Sequence, residues 1–173
     1  MSEVKAGVFD WERRLGDTLS LFGHRNWIVV ADAAYPAQSR PGIETISTGA
    51  GQLHVLRRVI DVIAAATHIR ANMYLDYELQ FVSELDAPGV ASYKRELELL
   101  MANSVVNRLP HEQIIARLDQ SAQVFRILIL KTELTIPYTS VFFELDCGYW
   151  GQEAEERLRD AIAQSSASER NAR

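Results

Sequence analysis

The stretch Gly23-His24-Arg25-Asn26-Trp27-Ile28-Val29-Val30-Ala31-Asp32-Ala33-Ala34-Tyr35-Pro36 decides how the rest of the chain is read. Trp27 to Ala31 holds no polar residue, the pattern of a strand buried on both faces of a sheet. Asp32 ends the apolar run, and Pro36 forbids much further pairing. An imidazole thus stands at the mouth of the strand and a carboxylate at its exit, eight positions on. If both face one hollow at the sheet rim, they can grip a polyol and move protons. Each also has a purely local reading. A histidine after glycine can be a helix-terminal residue, and an aspartate after a strand can be a turn former or helix cap.

Working outward, 173 residues suit one domain with a sizeable core, and 47% apolar against 24% charged residues is an ordinary globular balance. A net charge of −5, with no basic run, argues against a nucleic-acid partner. No apolar stretch approaches the roughly 18–20 residues of a membrane span. The first residues lack the apolar segment of a signal peptide. Cys147 has no second cysteine to pair with, and no Asn-x-Ser/Thr sequon occurs, so a cytoplasmic chain is expected.

Upstream, Trp11, Leu15, Thr18/Leu19 and Phe22 recur at helical spacing, with Asp10 as candidate N-cap and Gly23 as stop. His24 then follows a helix C-terminus. Downstream, Ile43–Ile46, Ala71–Leu75, Val105-Val106, Val124–Leu130 and Val141–Leu145 read as strands. Helices are expected over Gln52–Ala66, around Tyr93–Met101, and over His111–Leu118 behind Pro110. Helices alternating with apolar strands give an α/β domain with helices covering a central sheet. Residues 1–164 form that single domain, including an amphipathic helix over 151–164 with Ala154, Leu158, Ala161 and Ile162 on one stripe. Residues 165–173, small and polar, are expected to be disordered.

Most catalytic signatures are missing. His111-Glu112-Gln113-Ile114-Ile115 lacks the second histidine of a zinc protease helix, and four scattered histidines beside one cysteine support no metal site. Gly49-Ala50-Gly51 lacks the third glycine of a dinucleotide loop and the lysine of a P-loop. There is no Gly-x-Ser-x-Gly elbow. His54 and His68 read as surface or cap residues. The turn Ile136-Pro137-Tyr138-Thr139-Ser140 offers a phenol and hydroxyls between two apolar strands, or is simply a hairpin turn.

Gly23-His24, followed at this spacing by Asp32-Ala33-x-x-Pro36, resembles the signature of the ribose pyranase / fucose mutarotase family. The longer run Asp32-Ala33-Ala34-Tyr35-Pro36-Ala37-Gln38-Ser39 is similar to the fucose mutarotase branch, which usually has a histidine where this chain has Ala34. Pro137-Tyr138-Thr139-Ser140 resembles the family's late Tyr-x-Asn motif, with Ser140 at the asparagine position. His111-Glu112-Gln113 looks like the pyranase His-Glu-Gln, although it stands farther from Tyr138 than in pyranases. The resemblance runs from about Leu15 to Leu145. Three departures stand out: Asn26 replaces an aspartate, Glu133 precedes Tyr138 by five positions instead of four, and the chain continues past the last strand.

The resemblance implies an α/β fold, a three-layer α/β/α subunit with a central mixed sheet, here with an added C-terminal helix. It implies isomerases without metal or cofactor that interconvert anomers or ring forms of a reducing sugar. Ring assemblies, often decameric, place the sites near subunit contacts. Carried across, His24 corresponds to the acid/base histidine and Tyr138 to a second catalytic group. Asp32, Ser140 and His111 fall at sugar-binding positions. A sugar-binding or scaffold protein that kept the fold without catalysis is the alternative, suggested by Ser140 and Ala34. An enzyme on a phosphorylated sugar, using Arg40 or Lys131 with Gly49-Ala50-Gly51, is a third reading.

Overall fold

The apolar segment Trp27–Ala31 is strand β1, and all five of its residues are buried. The computed structural model describes residues 8–171. In chain order the elements are α1 (Val8–Leu21), β1 (Trp27–Ala31), β2 (Ile43–Ser47), α2 (Gln52–Ala65) and β3 (Ile69–Asp76). A 3₁₀ turn over Tyr77–Phe81 leads to α3 (Val90–Leu100), β4 (Val106–Leu109) and α4 (His111–Ser121). Then come β5 (Ile127–Lys131), β6 (Val141–Cys147) and α5 (Gln152–Asn171). The strands form one sheet in the order β2-β5-β1-β6-β3-β4.

Strands β1, β5 and β2 are mutually parallel, as are β3 and β4. β6 runs antiparallel to both neighbours, β1 and β3. All five other strands therefore point the same way, and β6 alone is reversed. The period of two divides the central strands between two cores. Ile28, Val30, Leu128, Leu130, Phe143 and Leu145 face α1, α2 and α3 through Trp11, Leu15, Val55, Val59, Tyr93 and Leu97. Trp27, Val29, Ile127, Ile129 and Phe142 face Ile114 and Leu118 of α4. The subunit is the expected three-layer α/β/α arrangement around a mixed sheet.

Several local expectations need correction. α1 begins at Val8, so Asp10 lies in its first turn and pairs with Arg13 at 3.1 Å instead of capping. The carbonyls at the end of α1 are served by His68, whose Nε2 lies 3.1 Å from the Leu19 oxygen and 3.2 Å from that of Phe22. β5 starts at Ile127 and not at Val124, because the backbone N–H groups of Val124 and Phe125 close a turn onto the Ser121 carbonyl. Ile136–Ser140 is no hairpin turn: β1 lies between β5 and β6, so the segment crosses over it. α5 extends to Asn171 through the stretch expected to be disordered. Ala, Glu and Arg favour helix there, and no Gly or Pro follows Gly151 to stop it. Ala172 and Arg173 lie outside the described residues. Leu158 and Ile162 of α5 are 42% and 50% exposed, so its stripe does not seal the domain's own core.

Phe142 is fully buried between β6 and α4. Phe142→Ala should cost about 3–5 kcal/mol of unfolding free energy in urea titrations. Leu85→Ala, at a position 91% exposed, should stay within about 0.5 kcal/mol.

Candidate functional site

Because five strands share one direction, their C-terminal ends form a single edge, the usual place for a ligand crevice in an open α/β sheet. Asp32 follows β1, Asp76 ends β3, and His111 opens α4 just after β4. The reversal of β6 brings its N-terminal flank, Tyr138 and Ser140, to the same edge. These five side chains line one cleft of about 370 Å³, together with Tyr35, Gln38 and Ile115. That volume is near the lower end for a small-molecule site.

Asp32 is held at both oxygens. Oδ1 accepts the Ala34 N–H at 2.9 Å, an Asx turn, and Oδ2 accepts the Ser140 hydroxyl at 3.2 Å. Asp32 is therefore a turn former whose carboxylate also lines the cleft. His111 is fixed twice from the β3 side. Its backbone N–H meets both oxygens of Glu78 (3.1 and 3.0 Å), and its Nδ1 lies 3.0 Å from Asp76 Oδ1. Tyr138 stands edge-on to the His111 ring, centroids 5.8 Å apart, with an exposed side chain and a left-handed backbone φ of 57°. A non-glycine residue in that region is sparsely populated and persists only where surroundings enforce it.

The enforcement comes from below. Gln52, 2% exposed at the start of α2, donates to the Thr139 carbonyl and, at 3.0 Å, to the Tyr93 hydroxyl. Tyr93 in turn donates to the Thr139 carbonyl at 3.1 Å, and the Thr139 hydroxyl donates to the Ile136 carbonyl at 2.7 Å. Burial pushes the Tyr93 phenol well above its ordinary range, so it remains a neutral donor. Neither Gln52 nor Tyr93 was distinguishable by motif. An uncharged polar residue facing an apolar helix stripe was the one available signal.

Asp76 was missed as well, since the strand reading stopped at Leu75. Its side chain is 1% exposed, and Oδ2 has no hydrogen-bond partner among the described residues. Burial is the main reason its pKa is pushed up to about 6, against the downward pull of His111, with Glu78 and Asp32 adding to the rise. The buried Tyr35 hydroxyl, on the same wall, also lacks a partner among the described residues, and burial raises its pKa.

His24 does not join this cleft. It lies at the opposite edge of the sheet, where Nδ1 faces Asp146 Oδ1 at 2.9 Å. Five strand residues span about 17 Å, and no turn brings the two ends of one strand together. Asp146 also receives Arg70 at Oδ2 (3.0 and 2.7 Å) and the Cys147 N–H at Oδ1 (2.8 Å). Partial burial pushes its pKa up, but the Arg70, Cys147 and His24 hydrogen bonds prevail and hold it below the usual range. Asn72, Tyr149, Trp150 and Glu155 complete a second hollow of about 720 Å³ there. Arg40 and Lys131 do not line the Asp32 cleft. Among the described residues, no group of three or more His, Cys, Asp or Glu is placed to hold a metal ion. No described helix is long and apolar enough to cross a membrane.

With the cleft defined, comparison with known proteins places the chain. The RbsD / FucU transport protein family matches residues 12–145. The chain belongs to that family. Its fold is similar to Bacillus subtilis RbsD complexed with D-ribose, at 20% identity and TM-score 0.51 over 77% of this chain and 91% of that one. It is similar to the fucose mutarotase of Streptococcus pneumoniae in complex with L-fucose, at 18% identity and TM-score 0.52 over 84% and 98%. FucU from Bifidobacterium longum gives 16% identity and TM-score 0.50 over 77% and 92%. No curated protein matches the sequence. The RbsD / FucU match ends at Leu145, so α5 lies beyond the family's shared part.

The raised Asp76 pKa has a signed consequence for stability. The native state holds the Asp76 proton more tightly than the unfolded chain, so its contribution declines as pH rises from the ordinary value near 3.8 through about 6. The unfolding free energy of Asp76→Asn minus that of wild type should therefore move in the variant's favour by roughly 2–3 kcal/mol between pH 4 and pH 7. Denaturant titrations at both pH values check this.

Proposed function

We propose that the chain is a cofactor-free monosaccharide mutarotase or pyranase that works on a reducing sugar in the cleft of Asp32, His111, Tyr138 and Ser140. The reading rests on one observation above all: in a chain of the RbsD / FucU family, a carboxylate, an imidazole, a phenol and a hydroxyl converge on one small cleft at the strand ends. The family resemblance of Asp32 and Tyr138, and structural neighbours described as complexed with D-ribose and with L-fucose, supply the substrate class.

Anomer exchange needs two proton movements. One proton goes to the ring oxygen while another leaves the anomeric hydroxyl, which opens the hemiacetal to an aldehyde. The carbonyl turns, or another hydroxyl attacks, and the protons return. Nothing is oxidised and nothing departs. Asp32, with its carboxylate fixed by Ala34 and Ser140, accepts sugar hydroxyls. His111 and Tyr138 stand over the same space as proton-exchanging groups, and such positioning typically contributes about 10²–10⁴-fold.

His24 takes part from a neighbouring copy of the chain. Leu21 and Val124, 81% and 78% exposed, rim the His24 edge, and Arg25 lies over Phe125 at 5.8 Å. A second copy seated there in a cytoplasmic ring would cover this apolar surface and bring His24 to another chain's Asp32 cleft. The non-catalytic sugar-binding reading keeps one observation in its favour, the separation of His24 from Asp32 within one chain.

Saturation-transfer NMR on free aldoses discriminates between them. Faster exchange between C1 signals of the two anomers is expected for at least one sugar. Sugar binding without faster exchange would favour the non-catalytic reading. Asp32→Ala should weaken sugar binding by about 10- to 100-fold, the loss of one or two charge-assisted hydrogen bonds.

Light scattering should report a multi-chain assembly. Mixing His24→Ala with Asp32→Ala chains, each impaired alone, should restore exchange once subunits have been swapped. A monomer, or no recovery on mixing, overturns the shared-site arrangement.

A further inference from the structure

Asp76 belongs to none of the motifs that mark the family resemblance, yet it is the most deeply buried charged side chain at the cleft. It ends β3, where the Leu75–Val141 pairing places it beside Ser140 at the start of β6. Among the described residues its carboxylate has one hydrogen-bond partner, His111 Nδ1 at 3.0 Å. Glu78 holds the backbone N–H of the same histidine, so both the ring and the main chain of His111 are clamped from the β3 side.

We propose that Asp76 is the positioning residue for His111: it accepts the Nδ1–H and thereby commits the ring to the tautomer whose Nε2 lone pair is offered to the cleft. The two imidazole nitrogens are not equivalent, and the one that carries the proton is set by the hydrogen bond the other makes. A carboxylate can only accept, so an ionised Asp76 forces the proton onto Nδ1. His111 Nε2 has no hydrogen-bond partner among the described residues, which leaves it available to a sugar hydroxyl. The logic is that of any base oriented by a buried acid behind it.

The charges around the pair set its pH behaviour. The charges of Glu78 beside it and Asp32 across the cleft add to the rise of the Asp76 pKa, and burial raises that of the Tyr35 phenol on the same wall. Behind Asp76, a separate hollow of about 610 Å³ is lined by Lys94, Glu98 and Arg108. Asp76 sheds its proton through about pH 6, so the carboxylate that accepts from Nδ1 is present above that value and lost below it. Replacing the carboxylate by an amide removes the group that titrates there, which moves the acid limb of activity to lower pH.

The activity part of the test rests on the sugar-exchange reading of the cleft; the spectroscopic part does not. ¹⁵N NMR of the full chain labelled at histidine, with His111 signals assigned by their loss in His111→Gln, should show Nδ1–H as the dominant form at pH 7.5. An unrestrained imidazole prefers Nε2–H. Asp76→Ala should return His111 toward that free preference. Asp76→Asn should lower the maximal exchange rate by about 10- to 100-fold, by analogy with the loss of the outer hydrogen-bond partner of a metal-bound histidine. Its half-saturating sugar concentration should change by less than about threefold, and its acid limb should shift downward. Dominant Nε2–H in the wild-type spectrum overturns the proposal, as does an Asp76→Asn enzyme with unchanged rate and acid limb. If the variants do not fold, the wild-type spectrum alone decides. If no sugar exchanges in wild type while Nδ1–H dominates, the proposed reaction falls and the Asp76–His111 assignment stands.

Discussion

One reversed strand organises this molecule. β6 enters between β1 and β3 against the direction of both, and its pairings join a β2-β5-β1 block to a β3-β4 pair. A parallel strand in that place would leave its preceding loop at the far edge. Reversal puts Tyr138 and Ser140 where Asp32, Asp76 and His111 already end their own strands or begin their helix. Ser140 then meets Asp32 at 3.2 Å although 108 residues separate them. The interior supports the reversal on both faces, since Phe143 and Leu145 enter one core and Phe142 the other.

The same edge concentrates unfavourable local terms. Tyr138 sits at positive φ, and Asp76 is a nearly inaccessible acid with one oxygen lacking a partner among the described residues. A buried polar group without a partner costs on the order of 1–3 kcal/mol, and an ionised one more. The apolar layers on either side offset such terms. Tolerance of them at one rim, beside a cavity, is what a pre-organised binding site looks like in physical terms. The network of Gln52, Tyr93 and Thr139 does the opposite work: it is saturated with hydrogen bonds and fixes the loop that carries Tyr138.

How much of this was legible in the sequence follows from which forces are local. The all-buried run Trp27–Ala31 and the stripe Leu53, Leu56, Ile60, Ile63 announce a strand and a helix by periodicity alone, and Pro110 marks the start of α4. Asp32, His111, Tyr138 and Ser140 could be named from motif resemblance, and the fold brings all four to one cleft. Asp76 and Gln52 could not. Their roles arise from partners 35 and 87 residues away, through pairings that no local pattern specifies. α5 misled for a related reason: polar composition resembles a disordered tail, but Ala, Glu and Arg are also good helix formers.

The spacing between His24 and Asp32 deserves a different interpretation from the one that first suggests itself. Eight residues with a five-residue strand inside is a measure of strand length, and a strand separates its flanks by the full width of the sheet. Such a spacing cannot assemble a site within one subunit. It can do so between subunits when the interface is heterologous, because a head-to-tail contact sets one edge of a molecule against the opposite edge of the next, and successive contacts of that kind close into a ring where the rotation per contact allows it. An isologous contact can exchange the two groups only through a patch that spans both edges, where His24 of each copy meets Asp32 of the other about the two-fold axis. The His24–Asp32 motif, if it serves one site, therefore demands contact between chains, and the exposed Leu21 and Val124 beside His24 mark the edge at which that contact would form.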